Sequence, residues 1–261
     1  MKGKTSIELW DVEELWYLQM MAACYFAAES FKRGTYYDDD ETLGALDLEP
    51  DRRFQEESAY RSNVIGAVYA SVAFLEASIN EVFLDAAFST KIRKGQVIPS
   101  GTVESLRPDV VEDIAREWPT IERSTIFIKY NLALALNCKR AICASNPKRK
   151  AADTLKTFRN LLTHPKPKWI RIYDSNKKSL ASQKKDAVSV ESRIKALIES
   201  DKKRPPAGYH HETSLVHGQF PTKYLNATLA KIAVKSCLEF DNEFCHRMGI
   251  KNKETRRPLM R

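Results

Sequence analysis

The chain has 261 residues, 43% hydrophobic and 29% charged, with a formal net charge of +8, enough to bury a large core in one large domain or two small ones. Only 9 residues are glycine, which argues against a fold of many short strands, and the absence of any run of eighteen or more apolar residues argues against a transmembrane span. The five cysteines (Cys24, Cys138, Cys143, Cys237 and Cys245) are odd in number and form no C-x-x-C pair, so neither a disulfide framework nor a zinc site of the usual spacing is expected.

The N-terminus MKGKTSIELWDVEELW turns acidic at once and lacks an apolar leader core, so a cytoplasmic protein is expected. Residues 1–57 hold 6 Lys+Arg against 14 Asp+Glu, while the rest of the chain holds 36 against 20. An acidic N-terminal segment thus precedes a basic body of a kind that meets polyanions. The periodicity of Ile7–Phe31 predicts an amphipathic helix stopped by Gly34, and Thr35–Gln55 reads as a connecting loop.

Glu57–Phe88 carries the clearest pattern. Tyr60, Val64, Val68, Val72, Leu75, Ile79, Val82 and Ala86 recur at helical spacing. A second stripe (Ile65, Tyr69, Ala73, Phe83 and Ala87) makes this helix apolar on most sides. Glu76 and Asn80 stand i, i+4 on one of its faces and need partners if buried.

A basic loop (Lys91–Gly101) precedes two further helices. The second of them aligns Ile126, Tyr130, Leu134 and Cys138. A helix opened by Asn146 and Pro147 follows, with Leu155, Phe158, Leu161 and Leu162 on its apolar side. Trp169, Ile170, Ile172 and Tyr173 then alternate around an Asp-Ser-Asn turn, the pattern of a small β-hairpin. A short helix, a Pro/Gly-rich loop and a last long helix complete the chain. The expected fold is all-α, a bundle of four to five long helices with at most a small β-hairpin insertion. The expected divisions are an acidic extension over 1–57, a helical body over 58–250 with an insertion at about 165–219, and a basic tail over 251–261.

The chemistry concentrates in FRNLLTHPKPKW, residues 158–169. Asn160 and His164 are i, i+4 neighbours on one helix face, with Arg159 one step round at its edge. His164 precedes Pro165, which disfavours α-helical geometry and lets the imidazole project past the helix end. Imidazole exchanges protons at neutral pH, so it can deprotonate a ribose 2′-OH or protonate a leaving 5′-oxygen. Guanidinium grips phosphate in bidentate fashion and opposes the charge that builds in the transition state, and an amide can orient either partner. Lys156, Lys166, Lys168, Trp169 and Arg171 interleave charge with an aromatic, as single-stranded RNA requires. The bland reading is that Arg159 and His164 complement the dipole of a helix C-terminus. The histidines of YHHETSLVH (His210, His211 and His217) have no zinc-like spacing.

LKTFRNLLTHPKPKW resembles the signature helix end of the HEPN superfamily, whose ribonuclease motif is Arg, four to six residues, then His, often with Asn after the Arg. Arg159, Asn160 and His164 match it, and VYASVAFLEASINEVF is similar to the family's early core helix. The resemblance covers roughly Tyr60 to His164. It implies an all-α HEPN-like bundle and a metal-independent endoribonuclease that needs no cofactor. Arg159, Asn160 and His164 would be catalytic, and Glu76 or Asn80 would support the motif. It implies RNA as substrate, a homodimer that brings two motifs into one cleft, and a toxin or defence role with a cognate antitoxin or regulatory partner. Two other readings stay open: a non-catalytic helical module that binds protein or nucleotide, and a nucleic-acid-binding protein without chemistry.

Overall fold

A computed structural model describes residues 15–38, 50–92, 99, 101–163, 181–202 and 224–250. These residues form seven α-helices and one 3₁₀ turn, with no strand among them. The helices are α1 (Leu15–Asp38), α2 (Pro50–Ile92), α3 (Pro108–Ile121), α4 (Ile126–Leu136), α5 (Pro147–Thr163), α6 (Ala181–Lys202) and α7 (Ala227–Met248). The all-α expectation holds. The segment expected as a hairpin, residues 39–49 of the expected connecting loop, the histidines of 210–217 and the basic tail lie outside the described residues.

Several boundaries differ from the sequence reading. Gly34 does not stop α1, which continues to Asp38. A glycine costs a helix about 1 kcal/mol, which neighbouring turns can absorb. The proposed connecting loop shrinks because Pro50 opens α2, a first-turn position where proline has no hydrogen bond to lose.

The chain divides into two compact units. One comprises residues 1–20, 73–146 and 238–261, and the other residues 21–72 and 147–237. Helix α2 supplies its later turns to the first unit and its earlier turns to the second. All eight residues of its first predicted stripe are buried. Gln55–Ser89 is long and apolar enough to cross a membrane by length and composition, and 56% of its most apolar window is buried inside the protein.

In the first unit, α2, α4 and α7 meet around Asp241. This buried carboxylate accepts hydrogen bonds from Ser78 Oγ at 2.7 Å and Tyr130 Oη at 2.8 Å. Burial pushes the Tyr130 phenol well above its ordinary pKa, and the charge of Asp241 adds to that. Phe240 and Phe244 stand edge-on to the Tyr130 ring, with centroids at 4.9 and 4.6 Å. The 3₁₀ turn is pinned to α2, since Thr102 N donates to Asp85 Oδ2 at 2.6 Å and Thr102 Oγ1 to Glu81 Oε1 at 2.9 Å. Gly101 makes this possible: its φ is +59°, and a Cβ there would fall 2.5 Å from Asp85 Oδ2.

Cys138 is not on the apolar stripe predicted for it. Helix α4 ends at Leu136, and Cys138 sits just past it with φ of 53°. Lys139 N donates to Leu134 O at 2.8 Å and Cys138 N to Ala135 O at 2.9 Å, the paired bonds of a Schellman cap. Gly249 takes the equivalent position after α7, with φ of 75°. A left-handed conformation costs a non-glycine residue about 1–2 kcal/mol.

In the second unit, α1 lies on α2, where the Phe26 ring occupies the space a side chain at Gly66 would need. Arg33 pairs with Glu56. Ala227 N, in the first turn of α7, donates to Tyr60 Oη at 2.8 Å, and Asn226 caps the same helix through Leu229 N at 2.9 Å.

Two substitutions test this account by chemical denaturation. Cys138→Gly removes the left-handed strain at an exposed position and is expected to raise stability by about 0.5–1 kcal/mol, the strain being offset in part by the greater freedom of glycine in the unfolded chain. Asp241→Ala removes the charged acceptor shared by Ser78 and Tyr130, leaving Tyr130 Oη the longer bond to Leu75 O at 3.1 Å, and is expected to lower stability by about 1–2 kcal/mol.

Candidate nucleic-acid site at the end of helix α5

Helix α5 buries Ala152, Thr154, Leu155 and Phe158. Leu161 and Leu162, expected on the same apolar side, are half-buried. That facing leaves Arg159 half-buried and Asn160 exposed. The Arg159 Nε atom is buried and has no hydrogen-bond partner; Arg33 Nε is the other such atom among the described residues. An N–H held from water without an acceptor costs about 1–3 kcal/mol. An oxyanion meeting the Nε/Nη edge in bidentate fashion would relieve that cost.

The last turn of α5 is tied to α2. Thr163 Oγ1 donates to Arg159 O at 2.9 Å, and it also lies 2.8 Å from Tyr69 Oη. A threonine hydroxyl has one proton, so once that proton goes to Arg159 O, Tyr69 is the donor in the second bond. The chain Tyr69–Thr163–Arg159 carbonyl thus anchors the helix end immediately before position 164. In the sequence Tyr69 appeared only as one apolar position of a stripe. The tyrosine at that position was the available signal, since a tyrosine on a half-buried face carries a hydroxyl that seeks a partner.

Nearly two turns before Arg159, Asp153 organises the cations. Lys156 Nζ lies 3.1 Å from Asp153 Oδ1, and Arg193 of α6 lies 2.9 Å from Asp153 Oδ2. Arg193 Nε also donates to Thr154 Oγ1 at 3.1 Å. Burial pushes the Asp153 carboxyl up, but the hydrogen bonds and charges of Lys156 and Arg193 outweigh it and hold the group below its ordinary value. Lys156 is therefore engaged within its own helix. Neither Asp153 nor Arg193 was singled out in the sequence, because their meeting depends on how α6 packs.

The remaining predicted residues divide into two groups. His164, Lys166, Lys168, Trp169 and Arg171 lie outside the described residues. Glu76 and Asn80 belong to the first unit, where they serve a lysine. Asn80 Oδ1 accepts from Lys129 Nζ at 2.7 Å, and that ammonium sits 5.4 Å from the Trp118 ring centre. Burial lowers the Lys129 pKa, and the nearby charges of Glu76 and Glu122 raise it without overcoming burial. Asn80 is thus the partner of a buried cation.

The depressed Asp153 carboxyl contributes stability that is present above its unfolded pKa and lost as pH falls through its folded one. Asp153→Asn is expected to lower stability by about 0.5–1 kcal/mol at pH 7, the worth of a solvent-screened pair. The difference should shrink and vanish as wild type and variant are followed by denaturant titration at pH values falling through the folded pKa of Asp153, which lies below the ordinary carboxylate value.

No family model, no curated protein and no solved structure matches this chain.

Proposed function

We propose that the protein is a metal-independent endoribonuclease of HEPN type, cleaving RNA by attack of the 2′-OH and leaving a 2′,3′-cyclic phosphate. The observation that carries this reading is the RNxxxH sequence motif, whose Arg159 and Asn160 lie on the closing turns of α5 with the Arg159 Nε donor unsatisfied. In this reading His164 moves the proton, Arg159 clamps the phosphate and Asn160 orients one or the other. Thr163 and Tyr69 hold the turn from which His164 departs. Lys166, Lys168, Trp169 and Arg171 follow the strand beyond the scissile bond, while Lys156 contributes its charge from within the pair with Asp153. The family likeness adds a HEPN-like bundle, a homodimer that joins two motifs and a toxin or defence role under an antitoxin or regulatory partner, and the cysteine pattern fits a cytoplasmic setting. Glu76 is exposed and Asn80 is engaged by Lys129, so neither enters the proposed catalytic set.

The engagement of Lys156 by Asp153 favours a second reading, a non-catalytic module that binds protein or nucleotide, in which Arg159 and His164 only complement the helix end.

Cleavage of labelled RNA in the presence of EDTA separates the two. The ribonuclease reading expects His164→Ala to lose about 10²–10⁴-fold in rate, the worth of a positioned acid or base. Arg159→Lys keeps the charge but loses the bidentate fork, and is expected to retain part of the activity. Wild-type protein that leaves RNA intact, or His164→Ala that cleaves at the wild-type rate, would sink the ribonuclease reading.

A further inference from the structure

Helix α1 is apolar on two sides, and only one of them is used. Met20, Ala23 and Ser30 are buried, and Phe26 lies on Gly66 of α2. The other side carries Leu18, Met21, Cys24, Tyr25, Ala28 and Phe31, all of them exposed. The four large side chains are 56% (Leu18), 43% (Met21), 62% (Tyr25) and 52% (Phe31) exposed. At 100° per residue these six positions, with Lys32, occupy one continuous face. Lys32 is the only charged residue on it, and its ammonium bonds Glu29 at 2.7 Å.

The spacing on this face is regular. Leu18, Met21, Tyr25, Ala28 and Lys32 follow steps of three, four, three and four, the a/d seam of a helix that packs on another helix. Antiparallel pairing sets each a position against a d position of the partner, so two registers centred on this seam compete. One sets Tyr25 against Ala28 and carries Lys32 into the seam against Met21. The other sets Leu18 against Ala28 and Met21 against Tyr25, and leaves Lys32 outside. The second is all apolar and matches large side chains with smaller ones, so it is the favoured register.

The area is sufficient. Large side chains bury roughly 200 Å² each, so four at about half exposure offer roughly 400 Å² per copy. A pair therefore covers roughly 800 Å² of apolar surface before Ala28 of the seam and the flanking Tyr17 and Cys24 are added, which brings it near the ~1,000 Å² expected of a specific interface. A monomer's largest apolar patch rarely exceeds ~600 Å² and is often functional.

We infer that the open face of α1 is the docking surface for a second copy of the same helix. The two helices pack antiparallel, with Leu18 against the partner's Ala28 and Met21 against the partner's Tyr25. The two-fold axis then passes beside Cys24, bringing it next to the partner's Cys24. This surface lies N-terminal to the region that resembles the HEPN family, and the inference does not depend on the ribonuclease reading.

Sedimentation equilibrium of the full chain from about 5 to 100 μM tests the pairing, with Met21→Glu and Tyr25→Glu as variants and circular dichroism as the control for folding. The expected result is that both variants stay folded and lose one association step of the wild type, from dimer to monomer, or from a higher oligomer to dimer where the helical body also pairs. A short bismaleimide is expected to link wild-type chains through Cys24 in high yield, and Cys24→Ser is expected to abolish the link. The exposed thiols of Cys138 and Cys143 serve as the internal comparison. A wild type that stays monomeric throughout the range overturns the inference. So does an assembly state that both variants leave unchanged, or cross-links that run through Cys138 or Cys143. A surviving dimer leaves pairing through the helical body intact, and neither result bears on RNA cleavage.

Discussion

A helix of 43 residues whose apolar positions run round most of its circumference cannot be satisfied by a single neighbour, and α2 sets this requirement for the rest of the chain. Different stretches of it are covered by different partners. Its later turns meet α4 and α7 around Asp241, and its earlier turns meet α1 at Gly66 and the start of α7 at Tyr60. The division of the chain into two compact units follows from this arrangement, since both draw their central residues from the one helix. Tyr69, on the same helix, also supplies the hydroxyl that anchors the end of α5.

Polar groups do the positioning that apolar packing leaves undetermined. The hydroxyls of Ser78 and Tyr130 converge on one buried carboxylate, which sets the register of three helices at a single point. Asp153 draws Lys156 and Arg193 together and so fastens α6 to α5 nearly two turns before Arg159. Lys129 takes its acceptor from Asn80 and lies over Trp118. The exceptions among the described residues are the buried Nε atoms of Arg33 and Arg159, which have no acceptor.

The helices were legible in the sequence because burial at a period of 3.6 leaves a direct trace, and every residue of the first stripe on α2 is buried. Boundaries were less legible. Gly34 carries a stop signal that α1 overrides, and Cys138 continues a stripe numerically although the helix has already ended in a left-handed cap. Both depend on energies of about 1 kcal/mol, small enough for neighbouring contacts to decide. Of the candidate site, the motif itself could be read because its spacing is local. The roles of Tyr69, Asp153 and Arg193 could not, because each depends on a residue from another helix.

The sequence by itself determined the all-α class, the long apolar helix α2 and the placing of Arg159 and Asn160 near the end of α5, all of them consequences of local spacing along a regular helix. The tertiary structure alone decided that Asn80 serves Lys129, that Lys156 is held by Asp153, that Thr163 is anchored by Tyr69, and that one face of α1 is covered while the other is open. A side chain's partner is set by which helices pack together and in what register, and no short stretch of sequence carries that information.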